Sequence, residues 1–386
     1  MNSLIKGLVV KIAERCNLNC SYCYMYNHAD QQYLSRPAFM SDEIFRSLID
    51  RVTGYCSARP DHKMGLVFHG GEPMLFDPQR LDSWLTEAKP LAGQQVSYVL
   101  QTNATLVTDE WIAVIKKHNI QSSVSLDGPP KVHDEFRVDH KGEGSYDKTV
   151  AGLKKMIDAG LNPGVLCVIN PRQSGIEVYR HFRSIGLRRM NFLFPDVSHD
   201  FKPILYGELG ATPVADYLIP IFDEWFEEDD PNIKIRIFTE AIRVLYGASP
   251  RTDTLGLATQ DYLVIDTDGS ILANDALKVC FDGAPESGLN VKQHGFDDLE
   301  KGNPLLFQLV SEGMGLCQQC LDCPERNACG GGAVPHRYSR SNGFMNPSVW
   351  CDDLLKFLGH VRATILPFSG SFSVEHSESM AGESAV

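Results

Sequence analysis

Cys16, Cys20 and Cys23 lie on one short stretch, CNLNCSYC, directly after an apolar run. Thiolates at this spacing can grip three corners of an iron–sulfur cubane and leave its fourth iron without a protein ligand. A catalytic metal keeps such an open position, whereas a structural zinc site closes its shell with four ligands. Spacing alone also admits a zinc site completed by a distant residue such as His28. A second group, Cys320, Cys323 and Cys329 with Cys351 beyond, offers four thiols. Four suffice to ligate a cluster completely, or to hold zinc in a ribbon-like site. Cys280 and Cys317 are further candidate ligands, while Cys56 and Cys167 read as small buried hydrophobes.

Clustered cysteines mean metal or redox chemistry where thiols stay reduced. The start, MNSLIKGLVVKIAERC, has an apolar run too short for a secretory signal, and no small-residue cleavage site follows. No stretch reaches the length of a membrane-spanning helix. The expected location is the cytoplasm, with no membrane partner. The net charge of −13 argues against a nucleic-acid partner, which would want a basic surface. It leaves a small molecule, a peptide or a basic protein segment. With 43% hydrophobic residues in 386, the chain can bury a sizeable core, in two domains or in one large α/β domain with an extension.

The elements that must position these groups follow from periodicity. Strands are predicted over Leu8–Ile12, Gly65–Phe68, Ser97–Gln101, Ser122–Leu126, Val165–Ile169 and Met190–Phe194. Helices are predicted between and after them, over Ser41–Tyr55, Pro78–Ala88, Thr108–His118, Tyr146–Ala159, Gly175–Ile185 and Val214–Phe226. Ser41 reads as a helix start, and Gly160 and Gly186 as helix stops. Such alternation argues an α/β fold with a parallel sheet. Six units are too few for a closed eight-stranded barrel, so the expectation is a partial (β/α)6 barrel with its site at the C-terminal strand ends. The pattern changes after about residue 235. Glu240–Tyr246 reads as a bridging helix, and Asp261–Leu272 as a hairpin turning at Asp268-Gly269. The stretch from Cys317 to Cys351 has little apolar periodicity and needs a metal to hold it together. The expected division is 1–235, 236–366 and a disordered polar tail, 367–386.

The three cysteines with Tyr22 before the last resemble the C-x3-C-x-aromatic-C signature of the radical S-adenosylmethionine (SAM) superfamily. Later strand ends agree. His69-Gly70-Gly71-Glu72-Pro73 resembles that family's GGE motif, whose strand end and glutamate hold the SAM amino group. Gln101-Thr102-Asn103 and Ser125-Leu126-Asp127-Gly128 resemble segments facing the SAM pocket, with Ser125 near the ribose and methionine end. His133-Asp134-Glu135-Phe136-Arg137 resembles a segment whose arginine pairs with the SAM carboxylate, a task suited to a guanidinium. A surface charge is the plainer reading of Arg137. The resemblance implies a SAM-binding [4Fe–4S] cluster at Cys16, Cys20 and Cys23. It also implies cleavage of SAM to a 5′-deoxyadenosyl radical that abstracts a substrate hydrogen.

Cys320, Cys323, Cys329 and Cys351 resemble the C-terminal SPASM extension of peptide-modifying members, which typically carries two auxiliary clusters. Here the family's last cysteine of the run is Ala333, and its hairpin cysteine is Asn274. The resemblance then implies one auxiliary [4Fe–4S] cluster, fully ligated by those four cysteines, for electron transfer and for stapling the segment. Asp275 follows Asn274, where related formylglycine-forming sulfatase maturases have a proposed base; a turn former is the plainer reading. From Leu8 to about Leu366 the chain resembles maturases that install cyclophane crosslinks in ribosomal peptides, most of all in CPERNACGGGAVPHRYSRSNGFMNPSVWCDDL. In that group the radical takes a β-carbon hydrogen, and the carbon radical attacks a nearby aromatic ring. Loss of one electron and one proton restores the ring. The implied partners are a ribosomal precursor peptide and an electron donor such as flavodoxin or ferredoxin. Other readings are a sulfatase-type maturase, an ether or thioether crosslinking enzyme, and a non-catalytic iron–sulfur or zinc module.

Overall fold

The structure, a computed structural model, describes residues 4–368 apart from 94 and 258. Residues 369–386 of the expected tail lie outside that range, and Leu366–Phe368 form a 3-10 turn. Strands β1 (Gly7–Ala13), β2 (Met64–Gly70), β3 (Val96–Thr102), β4 (Gln121–Ser125), β5 (Gly164–Val168) and β6 (Arg189–Leu193) pair in parallel, in chain order. The crossovers carry α1 (Asp42–Ser57), α2 (Pro78–Ala92), α3 (Asp109–Lys117), α4 (Pro130–Phe136), α5 (Tyr146–Asp158) and α6 (Gly175–Ser184). After β6 come α7 (Lys202–Tyr206) and α8 (Pro213–Glu228), then a short β7 (Lys234–Ile235) and α9 (Arg236–Leu245). The helix signals have physical counterparts. Ser41 Oγ accepts the Ile44 N–H at 3.2 Å, and Gly160 and Gly186 sit at φ of 80° and 84° just past their helices.

Side chains alternate across each strand. Leu8, Val10 and Ile12 of β1, Leu66 and Phe68 of β2, Leu100 of β3, Val124 of β4 and Phe192 of β6 join one apolar core beneath the helices. The opposite face carries Lys11, His69, Gln101, Ser125 and Asn191. A polar set on the concave face of an otherwise apolar barrel is where a site belongs.

The C-terminal region continues the same sheet. Strand β8 (Tyr262–Ile265) pairs in parallel with β1, antiparallel β9 (Ser270–Leu272) follows, and β10 (Glu286–Asn290) forms the edge. The expected turn is present, with Gly269 at φ 85° donating its N–H to Asp266 O at 2.9 Å. Residues 317–337 fold as short helical turns, and a helix follows over Cys351–Ile365. Asp353 of that helix accepts the Val214 and Ala215 N–H groups at 2.6 and 2.9 Å, capping α8 from far along the chain.

Candidate active site

The cysteine loop leaves β1 at the C-terminal edge of the sheet, and its shape depends on two glycines, Gly70 at the end of β2 and Gly71 directly after it. Gly71 donates its N–H to Ala13 O and Glu72 to Arg15 O, each at 2.9 Å, stitching the β2 end to the approach to Cys16. A Cβ at Gly70 would stand 1.9 Å from Ala13 O, and one at Gly71 1.9 Å from the Tyr26 hydroxyl and 2.4 Å from Arg15 O. Only glycine fits. The Leu18 N–H lies 3.3 Å from Cys16 Sγ, and Asn103 Nδ2 lies 3.9 Å from it. Burial pushes the Cys16 and Cys23 thiols up to about 12. For Cys16, Glu72 and the neighbouring cysteines add to the rise. Such thiols give up their protons to a bound metal rather than to solvent.

Glu72 is buried and holds two strand ends together. It accepts the Met74 N–H at 2.9 Å, the Thr102 hydroxyl at 2.6 Å and the Asn103 N–H at 2.7 Å. Burial raises its pKa against those three hydrogen bonds. Asn103 donates to Asn17 Oδ1 at 2.9 Å, and Gln101 donates to Ser125 Oγ at 2.8 Å. Tyr22 donates its hydroxyl to Asp127 at 2.5 Å and accepts from Arg137 Nη1 at 2.5 Å. Arg137 lies 3.9 Å from Asp127. The surface-charge reading of Arg137 is therefore corrected: the side chain is buried, and its charge is taken up by Asp127 and Tyr22, which anchor the cysteine loop to β4. Its Nε is buried without a partner, leaving one donor direction free. The structure thus brings Tyr22, Gly70, Gly71, Glu72, Asn103, Ser125, Asp127 and Arg137 to the strand ends around the cysteine loop.

An ionic row crosses the concave face beside them, and sequence reading missed it. Lys11 is in register with His69 on β2, and Asp266 follows directly after β8 on the other side. Lys11 Nζ lies 2.8 Å from Asp275 and 3.4 Å from Asp266, and all three are buried. Burial opposes the Lys11 charge, but Asp266 and Asp275 outweigh it and hold the ammonium above the ordinary lysine range. Asp275 opens the 3-10 turn Asp275–Val279, capped by Asn274, which accepts the Ala276 N–H at 2.9 Å. Asn274, not Asp275, does the turn-forming work, and the Asp275 side chain points to Lys11. A lysine inside the apolar run LVVKIA was the available signal, since a central strand seldom buries a charge without a partner.

In the second group, Cys320, Cys323, Cys329 and Cys351 line one cavity of about 220 Å³ together with Arg326, Ser348 and Leu355. Three consecutive glycines allow the fold there: a Cβ at Gly330 would stand 1.9 Å from Gly256 O. Cys317 interacts with Cys320, whereas Cys280 is buried with its Sγ 3.9 Å from Pro335 O. Among the described residues no three His, Cys, Asp or Glu side chains converge closely enough for a single metal ion, as a closed zinc site requires. His28 contacts the Tyr22 carbonyl at 3.3 Å. Four thiols lining one cavity are the donor set that a fully ligated cluster needs.

Residues 10–183 match the Radical SAM superfamily model. The chain is 25% identical to a serine-type anaerobic sulfatase-maturating enzyme of Bacteroides thetaiotaomicron, covering 92% of this chain and 88% of the relative. It is 22% identical to a cysteine-type anaerobic sulfatase-maturating enzyme of Clostridium novyi, covering 91% and 93%. Native anSMEcpe with bound AdoMet superposes with a TM-score of 0.79 at 20% identity, covering 95% of this chain and all of that one. Streptococcus suis SuiB bound to precursor peptide SuiA does so with a TM-score of 0.62 at 17% identity, covering 90% and 76%. The barrel and its C-terminal extension have the fold of those structures. With a cysteine loop of the right spacing at the end of β1 and the superfamily match over residues 10–183, the barrel is that of a radical SAM enzyme, and the chain as a whole is similar to the anaerobic sulfatase-maturating enzymes.

Proposed function

We propose that the protein oxidatively crosslinks a ribosomal precursor peptide, joining the β-carbon of one residue to an aromatic side chain as a cyclophane. Cys16, Cys20 and Cys23 would hold the SAM-binding [4Fe–4S] cluster, and Gly70, Gly71, Glu72, Asn103, Ser125, Asp127 and Arg137 would surround SAM. Bound there, cluster and SAM supply the 5′-deoxyadenosyl radical that takes the substrate hydrogen. Asp275 would accept the proton that the ring loses, and Lys11 holds it in place as an acceptor. Cys320, Cys323, Cys329 and Cys351 would hold one auxiliary cluster that takes the electron, with flavodoxin or ferredoxin as the external donor. Division into a barrel over 1–235 and an auxiliary-cluster region over 236–366 belongs to this reading, as do a cytoplasmic site of action and a partner that is neither nucleic acid nor membrane. No described helix is long and apolar enough to cross a membrane. The observation that carries the proposal is the pair of departures Asn274 and Ala333, which leave four cysteines lining one cavity and a buried Asp275 directly after Asn274.

A second reading, oxidation of a sulfatase serine or cysteine, is favoured by the similarity to serine- and cysteine-type sulfatase-maturating enzymes along nine-tenths of the chain. One experiment separates the two. The protein is reconstituted anaerobically and given SAM, dithionite and a candidate peptide from the neighbouring gene, and the peptide is analysed by mass spectrometry. Loss of two hydrogens with 5′-deoxyadenosine, no aldehyde reactivity and no fragmentation between the joined residues supports crosslinking. Serine oxidation also removes two hydrogens, so an aldehyde captured by a hydrazide would overturn the crosslink. Asp275→Asn is expected to keep 5′-deoxyadenosine formation while losing most of the modified peptide.

A further inference from the structure

Arg337 is 1% exposed, yet among the described residues it forms no ion pair with a carboxylate. Its Nη2 donates to the Gly315 carbonyl, and its Nε is buried without a partner. A guanidinium stays charged in any protein setting, and a buried cation without a counter-charge is strongly destabilising. The compensating anion must therefore be found nearby. A side chain built at Gly331, which lines the four-cysteine cavity, would begin 3.6 Å from Arg337 Nη1. The ionisable side chains nearest to Arg337 are Cys320, Cys317 and Cys329, none of them a carboxylate.

We propose that Arg337 is the fixed counter-cation of the auxiliary cluster at Cys320, Cys323, Cys329 and Cys351, and that it raises that cluster's reduction potential. The inference rests on the cluster reading given under the proposed function. A cubane with four thiolates is net negative, and reduction adds a further electron. A buried cation at its edge stabilises the reduced form more than the oxidised one. An acceptor of the substrate's electron needs that shift, so Arg337 is a positioning and tuning residue and touches no substrate. Arg36, which is also buried, is matched by Asp266, Asp268 and Glu286 and has no such role.

The test uses full-length protein reconstituted anaerobically, as wild type, Arg337→Gln and Arg337→Lys. Iron is counted, and each cluster is followed by electron paramagnetic resonance through a potentiometric titration. The wild type is expected to hold about eight irons per chain. In Arg337→Gln the auxiliary cluster is expected to shift to a more negative potential while the SAM-binding cluster stays in place as an internal reference. Arg337→Lys, which keeps the charge, is expected to stay near the wild type. Loss of auxiliary iron in the glutamine variant alone would also support the proposal, because only the charge differs in kind. An unshifted potential at full iron content, a lysine variant that shifts as far as glutamine, or loss of auxiliary iron in both would overturn it. A wild type with about four irons and bound zinc would instead sink the cluster reading itself.

Discussion

Tyr22 connects the cysteine loop to the far side of the barrel through a single oxygen. Its hydroxyl gives to Asp127 and takes from Arg137, while the two charges lie 3.9 Å apart. Both charged partners are buried, so the hydroxyl does work that neither can do for the other at that distance. Tyr22→Phe keeps the ring and removes the bridge. It is expected to cost about 1–3 kcal/mol, the usual result of leaving buried charged groups short of a partner. Chemical denaturation under anaerobic conditions checks this, and a cost near zero would mean that Arg137 and Asp127 close the gap themselves. The sequence marks Tyr22 as the aromatic of its cysteine motif, but gives no sign of what its hydroxyl touches. Asp127 and Arg137 were singled out because their segments resemble ones that face the SAM pocket in the family. That they neutralise each other was not, because the pairing joins residues 105 and 115 positions away from Tyr22 and depends on the barrel closing.

The elements were legible where periodicity is strong. Strands β1 to β6 and their main helices fall within a few residues of the expected spans, because each buries an alternating or helical apolar stripe. The two-residue β7 and the glycine-bearing β10 carry too few apolar residues to stand out. The hairpin was legible from Asp268-Gly269, but not its docking on β1, since nothing local to β8 specifies a parallel partner more than 250 residues away. Glycine spacing reports such approaches indirectly. The Gly70-Gly71 pair marks the place where β2 runs against the chain leaving β1, and Gly71→Ala is expected to force that contact apart. The cost should be about 1–3 kcal/mol or more, with loss of iron from the first cluster, since the displaced Arg15 carbonyl leads directly to Cys16. Gly54→Ala provides the contrast. Gly54 lies inside α1 with no atom within 4 Å of its Cβ position, so alanine should stabilise the protein by about 0.5–1 kcal/mol. Paired melting curves decide both, and a destabilised Gly54→Ala with an unaffected Gly71→Ala would refute this account of strand approach.

Across the whole molecule, burial raises carboxyls such as Glu14, Glu72 and Asp127 and lowers imidazoles such as His133, His69 and His28, and one group of each kind shows how stability responds to pH. His133 is fully buried between the Asp127 N–H and the Ser145 hydroxyl, and burial, with Arg137 nearby, lowers its pKa to about 2 from an ordinary 6.5. Below pH 6.5 the unfolded chain takes a proton there that the native state refuses. Stability contributed by this group is therefore complete above pH 6.5 and falls by about 1.4 kcal/mol per unit as the medium is made more acid. Glu14 behaves inversely. Burial raises its pKa well above the ordinary 4.5 against the pull of Lys11, so the native state keeps a proton that the unfolded chain releases. Its contribution is complete below pH 4.5 and is lost as pH rises. Between pH 4.5 and 6.5 the two slopes cancel; below that span His133 dominates, and above it Glu14 does. Glu14→Gln should flatten the alkaline limb while leaving the acid limb intact, and His133→Asn should do the reverse. Denaturant midpoints measured from pH 4 to 9 at fixed ionic strength test the pair. If Glu14→Gln leaves the alkaline slope unchanged, the Glu14 carboxyl is ionised in the native protein, and the ionic row around Lys11 carries one more negative charge than the geometry assigns to it.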